Sequence, residues 1–177
     1  VSDRCSQDIP PRNRHGREVR KKMERSEDVI LTNMCMVYDG RKVLVQEKIL
    51  KGDMEEGHSR GITFPGGHVE RHEPIVDSVI REIYEETNLT IENPRLCGVK
   101  DWVEEDGRRY VVFLFKTDRF SGELKSSDEG KVFWTELEDL PNLPVIWHMD
   151  RMLRIFDKEE FAELFLEVEH DWRPVLK

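Results

Sequence analysis

At 177 residues the chain is long enough for one substantial core, and 37 acidic against 28 basic residues leave a net charge of −9. That excess of negative charge argues against a nucleic-acid polymer as partner, which requires a basic face to neutralise phosphates. A mean hydropathy of −0.65, with no apolar run near the ~20 residues of a bilayer span, predicts a soluble chain without a membrane partner.

Residues 1–25 hold Pro10-Pro11 and then Arg12, Arg14, Arg17, Arg20, Lys21 and Lys22, with few apolar side chains to bury. They read as a flexible basic N-terminal extension, with Met23 a candidate natural start and residues 26–177 the folded domain. The extension lacks the apolar segment of a secretory signal. Cys5, Cys35 and Cys97 are odd in number and widely spaced, forming neither a CxxC pattern nor a disulfide framework, so a reduced, cytoplasmic compartment is expected.

Residues 29–38 are apolar and rich in β-formers, a buried strand. Asp39-Gly40 signals a hairpin, and residues 42–47 pair back. A charged loop spans 51–60, and residues 61–64 lead into Pro65-Gly66-Gly67, where two glycines let backbone approach a ligand closely or turn tightly. Glu73-Pro74 reads as a helix entry, with Pro at the first helical position. Strands are expected at 96–102 and 109–116, joined by a Glu-Glu-Asp-Gly turn, and at 131–136. Leu140-Pro141 to Pro144 breaks the chain before a second helix at 147–156, and 161–168 is a short helix or strand. Strands grouped around two helices indicate an α+β or α/β sandwich.

The helix after Pro74 carries the chemistry. At about 100° per residue, Glu82, Glu85 and Glu86 share one face. Like charges that close repel unless a cation lies among them, and hard oxygen donors suit Mg²⁺, with Mn²⁺ as a substitute. A solvated acidic face is the plain alternative. Against it, Val76, Val79, Ile80 and Ile83 form an apolar stripe beside the carboxylates, so the acidic face borders the core.

These residues resemble the signature of the Nudix hydrolases, G-x5-E-x7-R-E-U-x-E-E-x-G-U, with U a bulky apolar residue. Here it reads Gly67, Glu73, Arg81, Glu82, Ile83, Glu85, Glu86, Asn88 and Leu89. The one departure is Asn88 in place of the last glycine, at a helix end where Asn is the next best left-handed residue. The resemblance implies a Nudix fold, a mixed sheet between helices, over about residues 28–160. It implies that Glu82 is the general base, and that Glu85 and Glu86 with the Gly66 carbonyl bind metal, the glutamates being able to exchange these tasks. Arg81 then orients the glutamates, and Glu129 in the 126–130 loop is a further metal-binding acid.

The run from Ile62 to Glu70 is similar to bacterial members that sanitise nucleotide pools. The implied substrate is a (deoxy)nucleoside triphosphate, 8-oxo-dGTP among the candidates, split to the monophosphate and pyrophosphate. ADP-ribose or another nucleoside diphosphate derivative is the alternative, and a non-catalytic nucleotide-binding module a third. Candidates for a base pocket are Asn33, Phe64 and the region from Trp147 to Asp150, with core packing the competing role of Phe64 and Trp147. His68 and His72 near the loop read as solvated. Monomer and homodimer both remain open.

Overall fold

The computed structural model describes residues 26–50, 59–146, 148–157 and 160–177. The expected extension at 1–25, most of the charged loop, and Trp147 lie outside the described residues. Among the described residues there are ten strands and two α-helices: β1 (Val29–Asp39), β2 (Lys42–Leu50), β3 (Ser59–Thr63), α1 (Ile75–Thr87), β4 (Leu89–Ile91), β5 (Arg95–Val103), β6 (Arg109–Thr117), β7 (Phe120–Gly122), β8 (Gly130–Glu136), α2 (Met149–Asp157), β9 (Glu163–Glu167) and β10 (Arg173–Leu176). Eight strands make a mixed sheet in the order β10-β9-β5-β6-β1-β2-β3, with β8 on β2; β4 and β7 form a separate pair.

Alternation along β1 explains the layers. Met34 and Met36 join one core with Val112, Leu114 and, from α2, Met149, Met152, Ile155 and Phe156. Cys35 and Val37 point to the opposite face and join Leu44, Phe115 and, from α1, Val79 and Ile83. A strand buried on both faces must be apolar nearly throughout, which is why residues 34–37 show no polar alternation. The sheet thus lies between α1 and α2, as the Nudix resemblance implies.

Two details of α1 differ from expectation. Val76 is 45% exposed; Val79 and Ile83 are buried, and Ile75 and Ile80 pack partly buried against the same cluster, so Ile75 takes the place expected of Val76. Full burial of side chains such as Val79 and Ile83 stabilises by about 1.5–3 kcal/mol each. Pro74 is the N-cap with ψ 139°, so the helix begins one residue later than the proline rule placed it. At the other end Asn88 takes φ 59°, its N–H bonded to Tyr84 O at 2.8 Å, as a helix-terminating residue in the left-handed region does. The second helix begins at Met149, and residues 163–167 settle as strand β9 against β5.

β1 and β2 pair only next to their hairpin, at Tyr38–Val43 and Asp39–Lys42. Beyond it β2 turns to β3 and β8, while β1 runs parallel to β6. The free edge of β1 is taken by the glycine loop: Cys35 N–H bonds Pro65 O at 3.0 Å, Asn33 N–H bonds Gly67 O at 2.8 Å, and Val69 N–H bonds Leu31 O at 2.9 Å. The loop is therefore wedged into the fork between the two halves of the sheet.

Candidate active site

The wedge works only with glycine. Gly66 has φ +150°, and a Cβ there would lie 2.3 Å from Asn33 O and 2.7 Å from Met34 Cα. A Cβ on Gly67 would lie 2.3 Å from Glu82 Oε2. The missing side chains bring β1 backbone, loop and helix carboxylate together.

On α1 the glutamates are held by cations of the protein. Arg81 reaches back along the helix, with Nε to Glu73 Oε1 at 2.8 Å and Nη2 to Glu73 Oε2 at 2.9 Å. Its Nη1 donates to Glu82 Oε1 and Glu85 Oε2, both at 2.9 Å, and Nη2 also donates to His68 O at 3.1 Å. Hydrogen bonds from Arg81 hold the Glu73 carboxyl down at about 2. Glu82 is 9% exposed, and burial pushes its carboxyl up.

Glu86 is 1% exposed and accepts from Gly66 N–H at 2.7 Å. Lys48 on β2 brings its ammonium to 3.1 Å from Glu86 Oε1 and donates to Gly66 O at 3.2 Å. Burial raises the Glu86 carboxyl against the pull of that ammonium. Glu85 differs: its side chain is 55% exposed and meets Arg81.

Among the described residues no three His, Cys, Asp or Glu side chains are gathered as a finished metal shell. The donors nevertheless fit a hard cation in kind. Glu86 and the Gly66 carbonyl already share a positive charge, that of Lys48, and every further donor is a carboxylate oxygen.

A cavity of about 900 Å³ opens from this point across one face of the sheet. At the loop end its walls are Gly66, Gly67, Lys48, Glu82 and Glu129. At the other end they are Lys100 and Trp102 of β5, Tyr110 of β6, His148, and Trp172 just before β10. Trp102 and Tyr110 are cross-strand partners with rings stacked at 4.4 Å and 12°.

The sequence-derived candidates divide. Asn33 and Phe64 line the cavity. Asn33 is tied by Nδ2 to Ser78 Oγ at 2.9 Å, and Phe64 packs edge-on to Phe156 at 5.5 Å, a core role. Asp150 is exposed on α2 beside Arg151 at 3.2 Å and is not a cavity wall. Glu129 is exposed and stands at the cavity, close enough to Glu82 to raise its carboxyl further. Exposed His68 forms part of the mouth, its ring edge-on to Tyr110 at 6.2 Å. His148, within the 147–150 region taken as a candidate, lines the cavity, whereas Lys48, Lys100, Trp102, Tyr110 and Trp172 were not among the candidates. The only sequence signal for three of them was alternation, which puts Lys100 with Trp102, and Tyr110 with Val112, on one face.

Fold and site together define a hydrolase of diphosphate bonds, a mixed sheet between helices with an arginine-braced row of glutamates beside a glycine wedge. The NUDIX domain model matches residues 31–156, and the chain belongs to the Nudix family. It is 35% identical over 116 residues to an uncharacterised Nudix hydrolase of Bacillus subtilis, YvcI, covering 63% of this chain and 68% of that protein. It is 32% identical over 133 residues to an ADP-ribose pyrophosphatase of Methanocaldococcus jannaschii, covering 74% and 77%. Among solved structures it is similar to a mutator MutT protein of Bacillus halodurans, with TM-score 0.61, 26% identity, and 82% and 94% of the two chains covered. No helix among the described residues is long and apolar enough to cross a membrane.

Proposed function

We propose that the chain is a Mg²⁺-dependent pyrophosphohydrolase of (deoxy)nucleoside triphosphates, 8-oxo-dGTP among them, releasing the monophosphate and pyrophosphate. The observation that carries this reading is the single cavity that joins the glutamate end to an aromatic platform. One end suits phosphates and the other a flat base, and a volume of about 900 Å³ accommodates both.

Glu85, Glu86, Glu129 and Gly66 O are the residues that would hold the cation, with Glu82 able to share in it. When bound, a divalent cation neutralises phosphate charge and lowers the pKa of water. Glu82 takes the proton of the attacking water: Oε1 is fixed by Arg81, and Oε2 faces Gly67. Arg81 fixes the carboxylates in place and does no proton chemistry, since its guanidinium stays charged. Lys48, released from Glu86, becomes available to a phosphate oxygen.

A second reading, cleavage of ADP-ribose, is favoured by the archaeal relative of that activity, to which the chain is 32% identical. The products separate the two. A nucleoside triphosphate split at the α-phosphate gives pyrophosphate, whereas ADP-ribose gives AMP and ribose phosphate and no pyrophosphate. A nucleotide panel assayed for both products, with and without Mg²⁺, decides; Mg²⁺-dependent pyrophosphate release is the expected result, and cleavage confined to ADP-ribose overturns it.

A further inference from the structure

Of the large hydrophobic side chains exposed among the described residues, Trp172 alone lines the cavity. It is 43% exposed and sits in the turn between β9 and β10, where Asp171 and Trp172 both take φ 56°. A bulky side chain rarely occupies the left-handed region, which turns ordinarily fill with glycine or asparagine. Such conformations cost energy and gather at ligand sites. His148, at the same end of the cavity, likewise has φ 60°. The β9–β10 hairpin lies beyond residues 31–156, which the domain model matches, and pairing of β9 with β5 brings it to the cavity.

Strand order, β10-β9-β5-β6, sets three aromatic rings in a row. Tyr110 of β6 lies on one side of Trp102, nearly parallel to it at 4.4 Å and 12°. Trp172 comes from the other side, at 6.2 Å and 64°, so the two indoles meet edge to face and are not stacked. Trp102 is pinned, its Nε1–H donating to Glu104 Oε1 at 2.8 Å. Trp172, exposed on its turn, is the ring with room to rotate. Two ring contacts of about 3.5 Å each put parallel rings with a base between them about 7 Å apart. The present 6.2 Å is close to that, so rotation of the Trp172 indole with little displacement forms a slot for one planar ring.

We propose that Trp172 is the substrate-selecting residue of the site: its indole turns face-on and clasps the base of the substrate against Trp102, so that the β9–β10 turn selects phosphate anhydrides that carry a planar aromatic base. This rests on the reading given above, that the glutamate end of the cavity takes phosphates and the aromatic end a base, and it assigns the base to one slot. Trp172 stands apart from the glutamates, so its contribution falls on binding. A π-face is what the slot offers, and every base has one. An aliphatic side chain of similar bulk therefore does not replace it.

The test is steady-state kinetics with Mg²⁺ on dGTP and dTTP for the wild type, Trp172→Gly, Trp172→Leu and Trp172→Phe, with base-free tripolyphosphate as a competing inhibitor. Glycine suits φ 56° better than tryptophan does, so Trp172→Gly keeps the fold. It is expected to raise KM by roughly fivefold to a hundredfold, the range of one base–aromatic stack, with kcat little changed. Trp172→Leu behaves like the glycine variant, and Trp172→Phe recovers most of the affinity. Inhibition by tripolyphosphate stays the same in all four proteins. An unchanged KM in Trp172→Gly, a leucine variant as good as the phenylalanine one, or tripolyphosphate inhibition weakened in step with KM overturns the proposal and leaves the triphosphate reading intact. If no pyrophosphate is released by the wild type, that reading fails instead. Binding of dGMP, followed by quenching of tryptophan fluorescence, then decides on Trp172 alone: weaker binding to Trp172→Gly than to the wild type upholds its role, and equal binding overturns it.

Discussion

Arg81 meets Glu73 edge to edge, Nε to Oε1 at 2.8 Å and Nη2 to Oε2 at 2.9 Å, eight residues apart in sequence. The fork ties the segment before α1 to the middle of that helix and leaves Nη1 for Glu82 and Glu85. Because the Glu73 carboxyl titrates at about 2 when folded, against an ordinary value of 4.5, the folded state binds fewer protons than the unfolded one between those values. Its stabilisation is complete above about pH 4.5 and is lost as the pH falls toward 2. Glu73→Gln is expected to cost about 1.5–3 kcal/mol at pH 7, the scale of hydrogen bonds to a charged group. It should also flatten the acid limb of the stability curve. Urea unfolding at intervals from pH 3 to 7 checks both, and an unchanged acid slope would count against the assignment.

The two adjacent glycines should fail in different ways. Gly66→Ala sets a Cβ against Asn33 O and Met34 Cα, backbone that cannot move aside, at a φ of +150° that side chains avoid. Loss of several kcal/mol of stability is expected. Gly67→Ala meets only the Glu82 carboxylate, the tip of a side chain that can rotate. That variant should keep its melting temperature within a few degrees and lose roughly a hundredfold in kcat, the effect of displacing a reacting group by about 1 Å. Thermal unfolding and kcat measured on both variants make the comparison.

What could be read from the chain follows from how local each signal is. β1 announced itself because a strand buried on both faces is apolar nearly throughout, as at residues 34–37, and the end of α1 because Asn88 answers a local demand for φ near +60°. Arg81 and the glutamates lie within one helix, where 100° per residue decides who neighbours whom. Val76 was misplaced because a stripe can be drawn through either Ile75 or Val76, and only the sheet decides between them. The aromatic end was illegible for a different reason. Lys100, Tyr110 and Trp172 come together through β5, β6 and the segment before β10, and nothing near Trp172 in sequence says that the chain returns to Trp102. Lys48 was hidden likewise, because its partners Gly66 and Glu86 come from a loop and a helix.

Lys48 gives a prediction about metal removal. Its ammonium stands between Glu86 Oε1 and the Gly66 carbonyl, both proposed cation ligands. Lys48→Met leaves a buried carboxylate without its counter-charge, and the metal-free variant is expected to lose about 1–3 kcal/mol. In the wild type an added cation must displace the lysine, whereas in the variant it meets no competitor. Mg²⁺ should therefore raise the melting temperature of Lys48→Met more than that of the wild type, by mass action on the folded state. Melting curves with EDTA and across a Mg²⁺ series provide the measurement; equal gains in the two proteins would remove Lys48 from the cation site.

Glu82 should be separable from the other glutamates by what its loss spares. It is buried, forms part of the cavity wall and has one oxygen fixed by Arg81, so Glu82→Gln keeps the shape and a hydrogen-bond acceptor while removing the proton acceptor. Proton transfer by a positioned side chain is worth roughly 10²–10⁴ in rate, so kcat should fall by about that factor with KM little changed. Glu129 stands exposed at the same cavity, and its replacement by Gln should cost only about tenfold and demand more Mg²⁺ for half-maximal rate. The decisive comparison is kcat against Mg²⁺ concentration for both variants. If excess Mg²⁺ restores Glu82→Gln, that carboxylate binds the cation and the base lies elsewhere; if only Glu129→Gln is restored, Glu82 holds the proton.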